Sequence, residues 1–164
     1  MMRRTAAFVA AALVLVVSAC DGKSKAPAEP LSAEANAAYL ADNAKKSGVV
    51  LVPGIQYQVL EKGDGPQPGR KDCVTVYYKG SLIDGKVFDQ TEPGQPATFP
   101  AGLLIPGWVE ALQMMHVGDK WRLVIPAGLA YGRDGAGSGV IPPNQTLVFE
   151  VHLLKVIPKG QEGC

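Results

Sequence analysis

The sequence predicts an α+β domain in which a short helix packs on one face of an antiparallel sheet. Segments with the period-two alternation of strands outnumber segments with helical spacing, and they do not alternate with helices along the chain. The chain also contains 19 glycines and 13 prolines, which favour many turns between short elements. Hydrophobic residues make up 47% of the chain, enough to fill one core.

The first 19 residues have the pattern of a secretory signal peptide. Arg3 and Arg4 precede an apolar run over residues 6–17, which is shorter than the roughly 18 residues that a membrane-spanning helix needs. A buried helix is the alternative, but the position of the run behind two terminal arginines argues against it. Small residues before Cys20 resemble a bacterial lipobox, in which this cysteine becomes the lipidated first residue. This resemblance implies a lipid-anchored protein of the bacterial envelope that faces the periplasm.

Residues 20–51 are predicted to form a tether, a short helix and a linker. The stretch 20–30 is small and polar, as flexible tethers are. After it, Ser32 could cap a helix and Gly48 could end it. The helix is predicted over 31–47 from apolar residues at helical spacing, namely Leu31, Ala35, Tyr39 and Leu40. Because this apolar stripe is thin, the helix is expected to pack weakly or against a partner.

About five strands are predicted in the remainder of the chain. Alternation is strong after Cys73, where Val74, Val76 and Tyr78 share one face. Asp84 and Gly85 predict a two-residue hairpin turn. The third strand is expected to be broken by a proline–glycine bulge. The predicted strands are 55–60, 73–83, 87–99, 121–125 and 147–153.

One strong helix is predicted in this region, over residues 107–115. Trp108, Leu112 and Met115 lie at helical spacing, and Gly118 lies where it could end the helix. This helix would cover one face of the sheet.

The chain lacks the usual residues of covalent or acid–base catalysis. Its two histidines, His116 and His152, are expected after the helix and on the solvent face of the last strand, positions more typical of surface residues than of catalysts. No zinc, nucleophile-elbow, phosphate-loop or dinucleotide motif is present, so neither a metal nor a cofactor is expected. A formal net charge of +1 without a basic stripe argues against nucleic-acid binding.

Aromatic residues from separate elements suggest an apolar cavity. One short helix over one sheet leaves little volume for so many rings, so some are expected to line an opening. An ordinary core is the alternative, and Phe99 is assigned to it. The residues concerned are Tyr78, Phe88, Phe99, Trp108, Tyr131 and Phe149.

Four groups of motifs, in the same order along the chain, resemble those of the FKBP-type peptidyl-prolyl isomerases. They are VYYKGSL (76–82) with DGKVFD (84–89), LIPGWVEAL (104–112), LAYG (129–132) and VIPPNQTLVFEV (140–151). Upstream, YLADNAKK (39–46) and GIQY (54–57) resemble the macrophage infectivity potentiator-like branch. The resemblance implies a half-barrel sheet wrapped on one short helix over residues 52–158, with a tail at 159–164.

The resemblance also implies a ligand pocket with assigned roles. Trp108 would form its floor, Ile105 would offer its backbone amide and Tyr131 would offer its hydroxyl. Asp89 would be the polar group beside the twisting amide, held by the Tyr78 hydroxyl. The other implied lining residues are Phe88, Leu104, Val140, Ile141 and Phe149.

The activity implied is cis/trans isomerisation of X–Pro bonds in envelope or secreted polypeptides, with FK-type macrolides as further ligands. Rotation breaks no covalent bond, so the missing catalytic residues are expected. The alternative is a chaperone-like module that binds proline peptides with little turnover; a structural lipoprotein would not need aromatic residues at these positions. A monomer is expected, because the 31–47 helix is far shorter than the dimerising arm of larger relatives.

Two cysteines remain besides Cys20, in a compartment that permits disulfides. The family fold implies that the strand beginning near Cys73 pairs antiparallel with the last strand, so that the tail could bring Cys164 back to it. A Cys73–Cys164 disulfide is therefore expected, with two free thiols as the alternative.

Overall fold

The structure, a computed structural model, describes residues 29–164. The signal-peptide pattern, Cys20 and most of the predicted tether lie outside this part. The strands are β1 (Val49–Val52), β2 (Ile55–Glu61), β3 (Cys73–Leu82), β4 (Val87–Gln90), β5 (Ala97–Pro100), β6 (Lys120–Ile125) and β7 (Leu147–Ile157). The α-helices are α1 (Ala33–Asn43) and α2 (Pro106–Leu112). Neither helix of residues 29–164 is long and apolar enough to cross a membrane.

The strands form one antiparallel sheet in the order β1-β2-β6-β7-β3-β4, with β5 also paired to β3. The predicted α+β class with an antiparallel sheet is therefore confirmed, but with seven strands instead of five. The predicted broken strand is two strands, which pair with residues 79–81 and 73–76 of β3. The sheet also begins at Val49, three residues before the expected boundary. β1 is a short apolar run without alternation, so the pattern that predicts strands does not identify it.

The turn between β3 and β4 is one residue longer than predicted. Leu82 donates its amide to the Lys86 carbonyl (2.9 Å), and Gly85 donates to the Leu82 carbonyl (3.0 Å), which leaves three residues in the loop. Gly85 has φ +89°, the left-handed conformation that closes such a loop. Beyond the turn, Ser81 pairs with Val87 but Gly80 pairs with Asp89, so Phe88 is the extra residue of a β-bulge.

Helix α2 packs on one face of the sheet and supplies much of the core. Trp108, Leu112 and Met115 are buried against the inward residues of β3, β6 and β7. A Cβ on Gly107 would lie 2.5 Å from the Ile125 side chain, so the absence of a side chain lets the helix approach the sheet. The helix begins at Pro106, a favoured first helical position, and ends at Leu112, so Met115 lies three residues beyond its end.

Helix α1 packs on the opposite face of the same sheet. Ser32 caps it by accepting from the Ala35 amide (3.2 Å), as expected, but the helix ends at Asn43, well before residue 47. Its two buried residues are Asn36 and Asn43, which lie on the same face as the predicted apolar stripe. Six of its eleven residues are exposed, so the helix docks on its own domain over a small contact made by these amides and by the half-buried residues of the predicted stripe.

The C-terminal tail returns to the start of β3. Cys73 and Cys164 form a disulfide with Cα atoms 5.3 Å apart and a sequence separation of 91 residues. The Lys159 amide donates to Asp72 Oδ1 (3.2 Å), which holds the tail from a second point. Because Ile157 pairs with Cys73 at the end of β7, only a short tail is needed to close the bridge.

Candidate active site

A cavity of about 150 Å³ opens between α2, the sheet and the loops around them. Its lining is six aromatic rings, two aliphatic side chains and one carboxylate. The residues are Tyr78, Phe88, Asp89, Phe99, Leu104, Ile105, Trp108, Tyr131 and Phe149. Such a mainly apolar hollow with few polar groups is typical of ligand-binding sites.

The rings hold one another in a continuous series of edge-to-face contacts. Trp108 is buried at the centre and meets Tyr78 at 5.6 Å and Phe149 at 5.3 Å between ring centroids, with interplanar angles of 86° and 90°. Phe149 in turn meets Phe88 at 5.6 Å, and Tyr78 meets Phe99 at 6.0 Å. Each contact of this kind contributes about 0.5–1.5 kcal/mol beyond area burial, so the series favours a preformed hollow.

The bulge at Phe88 explains why two adjacent residues of β4 line the same cavity. In a regular strand Phe88 and Asp89 would point to opposite faces, but the extra residue changes the alternation locally. Gly80 lies across from them on β3. A Cβ there would lie 2.6 Å from the Phe88 ring and 2.8 Å from the Phe149 ring, so a glycine is needed for both rings to reach these positions.

Asp89 and Tyr78 form the polar pair of the lining. The Tyr78 hydroxyl donates to Asp89 Oδ2 at 2.6 Å, a short charge-assisted bond. Burial, followed by the bond to this carboxylate, raises the pKa of Tyr78 well above its usual value, because both disfavour the phenolate. Tyr78 therefore remains a donor throughout the neutral range and fixes one oxygen of Asp89.

Two further donors border the cavity. Ile105 is the residue before α2, and its carbonyl accepts from Trp108 N (2.9 Å) and Val109 N (3.1 Å). The Ile105 amide and the Tyr131 hydroxyl have no hydrogen-bond partner within residues 29–164. Both are therefore available to a ligand carbonyl.

Three residues differ from their expected places. Val140 and Ile141 lie outside the lining. Ile141 exchanges backbone hydrogen bonds with Ala136 and is buried in the core, with 6% of its surface exposed. Val140 follows a 3₁₀ turn and is 45% exposed. Phe99, assigned to an ordinary core, lines the cavity. Its place depends on the pairing of β5 with β3, opposite Val74, which local alternation does not reveal.

The remaining residues named from the sequence lie elsewhere. Neither His116 nor His152 lines the cavity, and both are partly exposed. Cys73 and Cys164 lie outside the lining, and Cys20 lies outside the described residues.

Comparisons with known families and proteins point to one family. A model of the FKBP-type peptidyl-prolyl cis-trans isomerases matches residues 65–154. The chain is 51% identical to the outer membrane protein MIP of Legionella longbeachae and 54% identical to the FKBP-type 22 kDa peptidyl-prolyl cis-trans isomerase of Escherichia coli K12, each over 121 residues. Both matches cover 73% of this chain but only 52% and 58% of those relatives, so the chain spans little more than half their length.

Two solved structures are similar in fold as well as in sequence. FkpA from Escherichia coli matches with a TM-score of 0.71 at 47% identity, covering 75% of this chain and 58% of that one. A peptidyl-prolyl cis-trans isomerase from Pseudomonas syringae pv. tomato matches with a TM-score of 0.71 at 44% identity, covering 76% of this chain and 92% of that one.

Proposed function

The chain belongs to the FKBP-type peptidyl-prolyl cis-trans isomerase family, and on that basis we propose that it catalyses rotation about X–Pro bonds in envelope or secreted proteins. The observation that carries the proposal is the preformed aromatic cavity with one carboxylate and two available donors at its border. The same cavity would take FK-type macrolides, which compete with the peptide for the apolar walls.

The chemistry requires only that the cavity bind a twisted amide better than a planar one. Resonance sets the rotation barrier at about 18–20 kcal/mol, while the two prolyl isomers differ by only about 0.5–1 kcal/mol. Twisting removes resonance and lowers the polarity of the amide, so an apolar enclosure favours the twisted state relative to water. Each tenfold acceleration needs about 1.4 kcal/mol of such differential binding.

The polar groups orient the amide within that enclosure. Ile105 N and the Tyr131 hydroxyl would hold carbonyl oxygens of the peptide, which fixes the chain on either side of the rotating bond. Asp89, held by Tyr78 at 2.6 Å, places a fixed charge beside the amide, where it can favour the charge distribution of the twisted state. No covalent intermediate is formed, and no proton is transferred.

Activity is expected to change little between about pH 6 and 8, because the lining contains no histidine and Tyr78 stays protonated. A raised folded-state pKa means that the contribution of Tyr78 to stability is fully present below the ordinary tyrosine pKa of 10.0 and is lost as the pH rises above it. A kcat/KM profile between about pH 6 and 8 would check the expected constancy of the activity. A bell-shaped curve centred near neutrality would contradict it.

We also propose that the protein is a lipid-anchored monomer of the bacterial envelope, facing the periplasm. The signal-peptide pattern before Cys20 supports the anchor, and one relative at 51% identity is named an outer membrane protein. The docking of α1 on its own sheet supports a monomer. Mass spectrometry of the membrane-extracted protein would detect acylated Cys20, and light scattering would report the mass in solution.

A protease-coupled isomerisation assay with a single-proline peptide tests the proposed activity. We expect acceleration of the cis-to-trans step in proportion to protein concentration, and its loss on adding an FK-type macrolide. Peptide binding without acceleration would refute the isomerase proposal and indicate the chaperone-like binding module.

A further inference from the structure

Asn36 is an unusual residue for its place in α1. It lies in the first turns of an alanine-rich helix and is only 5% exposed. Asparagine is a weaker helix former than alanine, and a buried amide costs free energy unless it is hydrogen-bonded. Asn36 Nδ2 donates locally to the carbonyls of Leu31 (3.2 Å) and Ser32 (3.0 Å), and its remaining contacts lie outside the helix.

Those contacts reach the segment that leads into β7, about 110 residues further along the chain. Asn36 Oδ1 accepts from the Thr146 amide at 2.7 Å, and Asn36 Nδ2 donates to Gln145 Oε1 at 3.2 Å. Gln145 Nε2 donates to the carbonyls of Leu31 (3.1 Å) and Pro143 (3.0 Å). Gln145 and Thr146 are themselves buried, so this is a closed network with little access for water.

The same segment forms the stem of a loop that carries part of the cavity. The loop over residues 126–146 joins β6 to β7 and includes Tyr131. Its stem is closed where the Asn144 amide donates to the Gly132 carbonyl at 2.7 Å, next to Tyr131. On the other side, Thr146 leads directly into β7, which places Phe149 in the cavity wall.

We propose that α1 is a brace for the cavity loop and that Asn36 is a positioning residue. By holding Gln145 and Thr146, Asn36 fixes the stem of the loop. The stem contains the hydrogen bond between Asn144 and Gly132, which in turn fixes the position of the Tyr131 hydroxyl. The inference rests on the proposed function of the cavity. None of the hydrogen-bond partners of Asn36 lines the cavity, so it acts on peptide binding through the loop stem. Loosening the stem weakens ground-state and transition-state binding alike, which raises KM more than it changes kcat.

Asn43 provides a matched control on the same helix. It is 1% exposed and also anchors α1, donating to Gln56 Oε1 at 2.8 Å and accepting from Arg122 Nη1 at 2.9 Å. Its partners lie on β2 and β6, away from the loop stem. Truncating it removes docking of the helix by similar chemistry but leaves the contact with Gln145 and Thr146 in place.

The kinetic test compares Asn36→Ala with Asn43→Ala at a temperature well below both unfolding midpoints. We expect KM of Asn36→Ala to rise about fivefold, equivalent to about 1 kcal/mol, with kcat within about twofold of wild type. Asn43→Ala should unfold at a lower temperature but keep both constants. A wild-type KM in Asn36→Ala, or an equal rise in both variants, would overturn the proposal.

Amide hydrogen exchange tests the brace without any turnover. We expect faster exchange at Asn144, whose amide closes the stem, in Asn36→Ala but not in Asn43→Ala, and unchanged exchange at Val76 and Val151 in the central strands. Gln145→Ala should reproduce the effect of Asn36→Ala, and the double variant should add little. If wild type lacks isomerase activity, the proposed function fails. Faster amide exchange confined to the loop in Asn36→Ala would still support the brace in that case. Equal exchange rates in wild type and Asn36→Ala would refute the brace.

Discussion

Asp89→Ala is expected to lower kcat/KM on a single-proline peptide at least tenfold, or about 1.4 kcal/mol, while the domain stays folded. The substitution removes the one carboxylate of the cavity and leaves the Tyr78 hydroxyl without its 2.6 Å acceptor. Because Asp89 lies on an exposed strand, its loss leaves no void in the core. The assay is the protease-coupled measurement, with circular dichroism to check folding.

Two further variants separate charge from hydrogen bonding, and a third is a control. Asp89→Asn keeps an acceptor for Tyr78 but removes the charge, and Tyr78→Phe keeps the charge but removes the donor. Glu92→Ala is the matched control. Glu92 is an exposed carboxylate three residues after Asp89, and it lies outside the cavity lining. If Asp89→Ala and Glu92→Ala were equally active, Asp89 would have no role in rotation.

Removing the disulfide is expected to have the largest effect on stability. The bridge closes a loop of about 91 residues that contains most of the sheet and all of the cavity lining. A loop of this length stabilises the folded state by about 4–5 kcal/mol in the chain-entropy description. Cys164→Ala is the cleaner variant, because Cys164 is exposed whereas Cys73 is buried. Urea unfolding of the oxidised wild type and the variant would measure the difference.

A reductant supplies the control for this prediction. Wild type in reductant should unfold at the midpoint of Cys164→Ala, and the variant should not respond to reductant. Both should retain isomerase activity below their midpoints, because neither cysteine lines the cavity. Coincident curves for oxidised wild type and Cys164→Ala would show that the bridge does not form or does not stabilise the fold.

The fold class could be predicted because apolar residues alternate along the long strands, and this alternation shows which side chains are buried. β3 and β7 place valine and leucine at alternate positions, and their inward residues are buried as expected. β1 was missed because four consecutive apolar residues show no period. α1 was predicted in the right place and with the right inward face, but the two asparagines at the centre of that face were not identified, because a search for apolar spacing does not detect buried amides.

The roles of the site residues were predicted from family motifs, and the geometry of the site depends on features that alternation does not show. The bulge that turns Phe88 and Asp89 to one side follows from a register shift between β3 and β4. Phe99 joins the cavity because β5 pairs with the first half of β3. Ile141 leaves it because a single bridge to Ala136 directs its side chain into the core.

Exchange NMR of a peptide with one X–Pro bond, at catalytic amounts of protein, measures prolyl rotation inside this aromatic hollow most directly. The account predicts exchange cross-peaks between the cis and trans resonances of the peptide, with shift changes at the indole of Trp108 and at the Ile105 amide during titration. Asp89→Ala should keep the shift changes and lose most of the exchange. Exchange at the uncatalysed rate with wild-type protein, or full exchange without any change at Trp108, would contradict it.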